Sequence, residues 1–260
     1  MEIKYQNPGF KSMIDSILQF QSDNETVYWL DGLYAFYPQL DKEYAKTLEW
    51  NERYKYISDV LEKEYDETKI NEKVKIYNEY WLQKKNQIND ALSEAFEIDC
   101  KKIYNNMICD VSMNPTSPRY LMEKRFEVFY LNSEKGAIGT SIHEMIHFAW
   151  FYVWNIVFQD DYDEYERPSL KWILSEMVVE SIMKDERLSS INPYFPREHG
   201  GCVYSYFFDM EVGGGLILDK LDLMYKNMNI REFMLESYGY IRDHEQEIRQ
   251  HIKEAEDKGW

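Results

Sequence analysis

The chain has 260 residues, three cysteines and a formal charge of −17, from 30 Lys and Arg against 47 Asp and Glu. That length holds one large domain or two small ones with a substantial core and no need of disulfides, and an aromatic content of 16 % excludes a disordered chain. The acidic field disfavours a nucleic-acid partner, because phosphate binding needs a basic patch and none stands out.

Cys100, Cys109 and Cys202 are odd in number and lack zinc-ribbon spacing, so they read as reduced thiols of a cytoplasmic protein. The stretch Met1 to Gly9 has no basic region followed by an apolar run, which speaks against a cleaved secretion signal. Next, Met13, Ile14, Ile17, Leu18 and Phe20 recur at helical spacing, followed by Val27-Tyr28-Trp29-Leu30 and a break at Asp31-Gly32. From Asp41 to about Phe96 there is no Gly or Pro. Apolar stripes through Leu40, Tyr44, Leu48, Ile57, Val60, Leu61 and Tyr65, and through Ile70, Val74, Tyr77, Trp81, Ile88, Leu92, Ala95 and Phe96, predict two or more long helices turning near Asp66 to Asn71. These stripes read as core packing. Residues 1–100 are thus expected to form a helical N-terminal region, and 101–260 the remaining domain.

Ile103 to Val111 predicts a strand, Asn114-Pro115-Thr116-Ser117-Pro118 a turn, and Phe126 to Leu131 a second strand. A small sheet leading into the next helix would offer an edge strand to an extended peptide. Gly136 and Gly139 break the segment after it, and Thr140 or Ser141 can cap a helix that carries His143-Glu144-x-x-His147 in its first turns and runs on through an apolar stretch to Phe158. That stretch, Met145 to Phe158, contains His147 and Asn155 and is too short for a membrane span of about 20 residues.

Residues four apart on a helix share one face, so His143 and His147 can offer two imidazole nitrogens to one ion, with Glu144 beside it. Zinc so held keeps a water whose pKa falls to about 7, and a neighbouring carboxylate can take its proton. The pattern predicts metal-assisted hydrolysis, with Zn2+ as cofactor. Ser141-x-x-Glu144 also fits a capping box, in which Glu144 would only return a hydrogen bond to the cap.

The acidic run Gln159 to Pro168 lacks the order and central Gly of a calcium loop and reads as a solvated connection. Ser169 then caps a second apolar helix, Leu170 to Met183. Catalytic zinc takes three protein ligands, so a third must come from elsewhere. Glu176 and Glu180 lie four apart in this apolar helix, where carboxylates are rarely buried unpaired. A metal would compensate one of them, and the other could accept the free N–H of a ligating imidazole.

His143-Glu144-x-x-His147 followed by a helix bearing Glu176-x-x-x-Glu180 resembles the gluzincins, the thermolysin-like branch of zinc metallopeptidases, over roughly residues 126–183. The resemblance implies His143 and His147 as the first two ligands, Glu144 as general base, Glu176 as third ligand and Glu180 as the acid behind a ligand histidine. The 28 residues between His147 and Glu176 exceed the thermolysin spacing, and Glu180 stands where those enzymes have Asp. The metzincin extension fails at Trp150 and Val153, and no His lies between His147 and His199 to complete a SprT-like site.

Further on, Asn192 to Tyr206 is rich in Pro and Gly. A hydrolase needs a donor for the oxyanion of its tetrahedral intermediate, and His199, Tyr204 or Tyr206 could supply it, His199 foremost. Gly213-Gly214-Gly215 reads as a loop, not a phosphate cradle. A helical part follows from about Leu216, in which His244 and His251 look solvent-facing. The expected fold is mostly helical α+β, a zincin-like unit with a small sheet and two active-site helices between helical N- and C-terminal regions. The expected function is a soluble zinc metallopeptidase acting on a peptide or protein substrate, with neither nucleic acid nor membrane as partner. The alternatives are a helical interaction protein with a structural or vestigial metal, and a zinc hydrolase of a non-peptide amide or ester.

Overall fold

A computed structural model describes residues 1–21, 32–160 and 165–258. The expected Val27-Tyr28-Trp29-Leu30 run, and Asp161 to Glu164 of the acidic connection, lie outside the described residues. Mostly helical α+β is what the backbone shows, 64 % helix and 9 % strand. Two compact units divide it, one made of Met1–Lys85 with Tyr104–Ser141, the other of Asn86–Ile103 with Ile142–Trp260. There is thus no single cut near residue 100. The strand at the very N-terminus pairs with one that begins at Met107, which puts both in the same unit.

The first unit is built on a four-stranded sheet of β1 (Ile3–Gln6), β2 (Met107–Ser112), β3 (Arg119–Tyr120) and β4 (Arg125–Phe129), in the order β1-β2-β4-β3. β1 and β4 run parallel to β2, and β3 runs antiparallel to β4. Parallel pairing needs long crossovers, and it buries strands on both faces. Ile3, Tyr5, Met107, Cys109, Val111, Phe126 and Val128 are accordingly buried. The expected first strand starts four residues late, because Cys100–Ile103 forms a helical turn (α6) in which the Asp99 side chain accepts from the Lys102 N–H at 3.3 Å. The expected second strand is no edge: β2 flanks β4 on one side and β3 on the other, and the Glu127 N–H is taken by the Pro118 carbonyl at 2.9 Å.

Between β1 and β2 come α1 (Phe10–Gln19), α2 (Gly32–Phe36), α3 (Lys42–Thr47), α4 (Trp50–Leu61) and the 30-residue α5 (Glu67–Phe96). α1 buries Met13, Ile14, Ile17 and Leu18, the stripe read from sequence. Asp41 caps α3 by accepting from the Tyr44 N–H at 3.0 Å. The expected stripe of α5 is buried at Ile70, Tyr77, Trp81, Ile88, Leu92 and Phe96, and the turn before it falls at 62–66.

α7 (Glu134–Phe158) begins earlier than predicted. Gly136 and Gly139 are inside it, Ser133 Oγ accepts from the Gly136 N–H at 3.0 Å, and Ser141 sits mid-helix with its hydroxyl on the Ala137 carbonyl at 2.8 Å and the Tyr5 hydroxyl at 2.7 Å. Burial of Ala137, Ile138 and Ile142 outweighs a cost of about 1 kcal/mol for each helical Gly. Ser141 is therefore no cap, and the capping-box account of Glu144 has no geometry behind it.

The second unit takes its core from the later part of α7 and from α8 (Leu170–Lys184), which is buried from Leu170 to Met183. Around them are α9 (Glu186–Ser189), the hairpin β5 (Glu211–Val212) and β6 (Gly215–Leu216), α10 (Ile217–Asn227), α11 (Ile230–Asp243) and α12 (Glu245–Asp257). Gly213 and Gly214, both at positive φ, make the hairpin turn where a loop was expected. The charged C-terminal helix is divided at His244, and α10 and α11 pack on α8.

Candidate metal centre

Two buried helices of the second unit carry the site, and the chain between them is pinned by one carboxylate. α7 ends at Phe158, with Gln159 at positive φ. Asp160 then accepts from Trp154 Nε1 (2.9 Å), the Tyr165 hydroxyl (2.7 Å) and Lys171 Nζ (2.6 Å). Burial alone would raise its carboxyl, but Lys171, Trp154 and Tyr165 together hold it below the usual carboxylate range. At the start of α8 the Ser169 hydroxyl accepts from the Trp172 N–H at 3.1 Å. Asp160 is thus a structural node in a segment that the sequence presents as a solvated acidic run.

On α7 the four-residue spacing does what helical geometry requires. His143 Nε2 and His147 Nε2 are 3.1 Å apart, with ring centroids at 4.9 Å. From α8, Glu176 brings one oxygen to 3.5 Å from His147 Nε2 and the other to 3.9 Å from His143 Nε2. Among the described residues this is the only group of three or more His, Cys, Asp or Glu able to hold a metal ion, its donor atoms all within 4.8 Å of one another. Glu144 Oε1 lies 3.9 Å from His143 Nε2. The His147 side chain is fully enclosed while that of His143 is 20 % exposed, so the cluster is closed on one side and open on the other.

The donor set suits a divalent ion of the zinc kind. Two imidazoles and a carboxylate are its usual ligands, and bonds of about 2.0–2.2 Å in a tetrahedral arrangement place ligand atoms about 3.3–3.5 Å apart. The observed separations of 3.1, 3.5 and 3.9 Å bracket that range. Two carboxylates each only 6 % exposed, Glu144 and Glu176, also supply the charge a divalent cation would balance.

Glu180, one turn after Glu176 and 2 % exposed, is held by cations. Lys184 Nζ is at 2.5 Å, and Arg197 is bidentate, with Nε at 3.0 Å from both oxygens and Nη2 at 2.7 Å from one. Neither imidazole is among the partners of Glu180, so the place behind a ligand histidine that the resemblance implies is not where its hydrogen bonds go. Arg197 also pairs with Asp219 on α10 at 2.9 Å. His199 lies exposed at the end of the 3-10 turn Arg197–His199, where its N–H donates to the Pro196 carbonyl at 2.9 Å and its imidazole makes no hydrogen bond among the described residues. The Tyr204 ring lies against Trp172 of α8 at 5.8 Å and stacks on Tyr206 at 5.3 Å. His251, expected to face solvent, donates to the Tyr206 carbonyl at 2.8 Å.

Of the predicted residues, the structure brings together His143, His147, Glu144 and Glu176, and places Glu180 one turn further along α8. Arg197 is the residue that the sequence did not point to. Lys184 was within reach of a spacing argument, since it stands four residues after the buried Glu180. Comparison with protein-family models, with curated proteins and with solved structures returns no match for this chain.

Proposed function

We propose that this protein is a zinc-dependent peptidase in which His143, His147 and Glu176 hold the ion and Glu144 is the general base. The reading is carried by the approach of both imidazole Nε2 atoms and a Glu176 oxygen to within 4.8 Å of one another, from two helices that Asp160 bridges through Trp154 and Lys171. When bound there, zinc supplies Lewis acidity and lowers the pKa of a water to about 7. Glu144, beside the partly exposed His143, takes the proton of the attacking water at its carboxylate and returns it to the leaving amine nitrogen. His147 and Glu176, nearly or fully enclosed, fix the ligand geometry against movement.

Motif order supports the same class, since a His-Glu-x-x-His helix followed by a glutamate helix resembles the gluzincins. The test is elemental analysis of the purified protein together with hydrolysis of a mixed peptide pool, with and without chelator. About one zinc per chain and chelator-sensitive cleavage are expected. Glu144→Gln should keep the zinc and lower hydrolysis by at least ~100-fold, within the 10²–10⁴ ascribed to a positioned acid or base. Zinc-free protein that takes up no zinc would overturn the reading in favour of a helical interaction protein. Cleavage of esters or non-peptide amides alone would move the substrate class.

A further inference from the structure

Glu180 is 2 % exposed and stands one turn beyond the proposed ligand Glu176 on α8, about 6 Å further along the axis and on the same stripe of the helix. A buried carboxylate so placed acts on a nearby ion without touching it, because charges in a protein interior are only weakly screened. The cluster already has two nearly enclosed carboxylates, Glu144 and Glu176, enough to balance a divalent ion. A third uncancelled negative charge would over-balance it.

Glu180 is instead matched by two cations. Lys184, one turn later on the same helix, brings Nζ to 2.5 Å from Oε1. Arg197 spans both oxygens through Nε at 3.0 Å and adds Nη2 at 2.7 Å. Arg197 is also shared with Asp219 of α10 at 2.9 Å, so Glu180, Lys184, Arg197 and Asp219 make a set of two cations and two anions with no net formal charge. Of the two anions, Asp219 is exposed and largely met by water, whereas Glu180 is enclosed and met by the cations. Buried ion pairs add little stability over apolar side chains of the same size, so stability alone is a weak reason for this set.

We propose that Arg197 is a positioning residue acting through Glu180: together with Lys184 it cancels the Glu180 charge, so that a divalent ion held by His143, His147 and Glu176 is balanced by Glu144 and Glu176 alone and keeps its Lewis acidity. The proposal deepens the peptidase reading and rests on it for the identity of the ion. Losing one of the two cations should make the site bind zinc more tightly and use it less well, since the added negative charge attracts the ion and lowers its electrophilicity. Loss of a merely structural contact would move zinc affinity the other way, by loosening the turn of α8 that carries Glu176.

Zinc affinity of the full-length protein can be measured by competition with a chromophoric chelator. Arg197→Met and Lys184→Met should each tighten zinc binding by about tenfold, as expected for a unit charge about one helical turn away at an effective dielectric of about 20, and each should lower peptide hydrolysis at saturating zinc. Arg197→Lys, which keeps the charge, should bind zinc as the parent does. Combining Glu180→Gln with Arg197→Met restores the formal charge of the set and should return zinc affinity to that of the parent. Because this double variant leaves no carboxylate unmatched at position 180, it and Lys184→Met keep the test decisive should Arg197→Met alone fold poorly. Unchanged or weaker zinc binding in either folded cation variant, or a double variant that does not return to the parent affinity, would overturn the proposal. Peptide hydrolysis by the natural protein reports on the peptidase reading and these affinities on the cancelled charge, so the two can fail independently.

Discussion

Glu127 and Glu176 are both almost enclosed, in different company. Glu176 faces two imidazoles, whereas the Glu127 carboxyl is pushed up to about 7 by burial, which bonds from Ser16 and Ser112 offset only in part. Its ordinary value is 4.5, so between about pH 4.5 and 7 the fold retains a proton that the unfolded chain has lost. Stability from this group is complete below about 4.5 and declines as pH rises through 7, by an amount of order 3 kcal/mol. Thermal melting of the natural protein should therefore fall from pH 5 to pH 7.5 more steeply than that of Glu127→Gln; parallel curves would remove this role. If the candidate centre holds zinc, the ion should raise the melting temperature by mass action. Glu176→Ala should reduce that rise and Glu144→Gln should not, and an undiminished shift in Glu176→Ala would show the third ligand to be misassigned.

At the scale of elements, the site depends on how α7 meets α8. The His pair was legible from spacing alone, because a helix dictates which residues share a face. Glu176 was legible only in part. Acidic pairs four apart recur at Glu62/Asp66, Glu123/Glu127 and Glu232/Glu236, so the apolar surroundings and the family resemblance had to choose it. The start of α7 was misread because Gly136 and Gly139 are local breakers, whereas the burial of their neighbours Ala137 and Ile138 is a tertiary fact. Asp160 was misread for a related reason, since nothing in an acidic run marks the one carboxylate that Trp154, Tyr165 and Lys171 converge on. Asp160→Ala leaves those donors unmatched and should lower stability by about 2–4 kcal/mol. It should also weaken zinc binding by loosening the register of the two helices. Urea denaturation and zinc titration of this variant check both, and unaltered zinc affinity would mean that the register is set elsewhere.

For the whole molecule, apolar periodicity and turn signals correctly announced a mostly helical α+β chain, and among the described residues no helix is long and apolar enough to cross a membrane. The division into units was not legible, because it depends on parallel pairing of β1 with β2 across about a hundred residues, and such long-range register leaves no local mark. Arg197 escaped notice for the same reason. Its partner Glu180 is remote in sequence and meets it only when the loop after α9 folds back along α8. The central claim is that the two imidazoles and Glu176 hold one zinc ion, and X-ray absorption at the zinc edge of the purified, zinc-loaded protein tests it most directly. The account predicts two nitrogen ligands at about 2.0–2.1 Å and oxygen ligands at about 2.0–2.2 Å, with the nitrogen signal halved in His147→Ala. A spectrum with sulfur ligands, or one unchanged by His147→Ala, would contradict it.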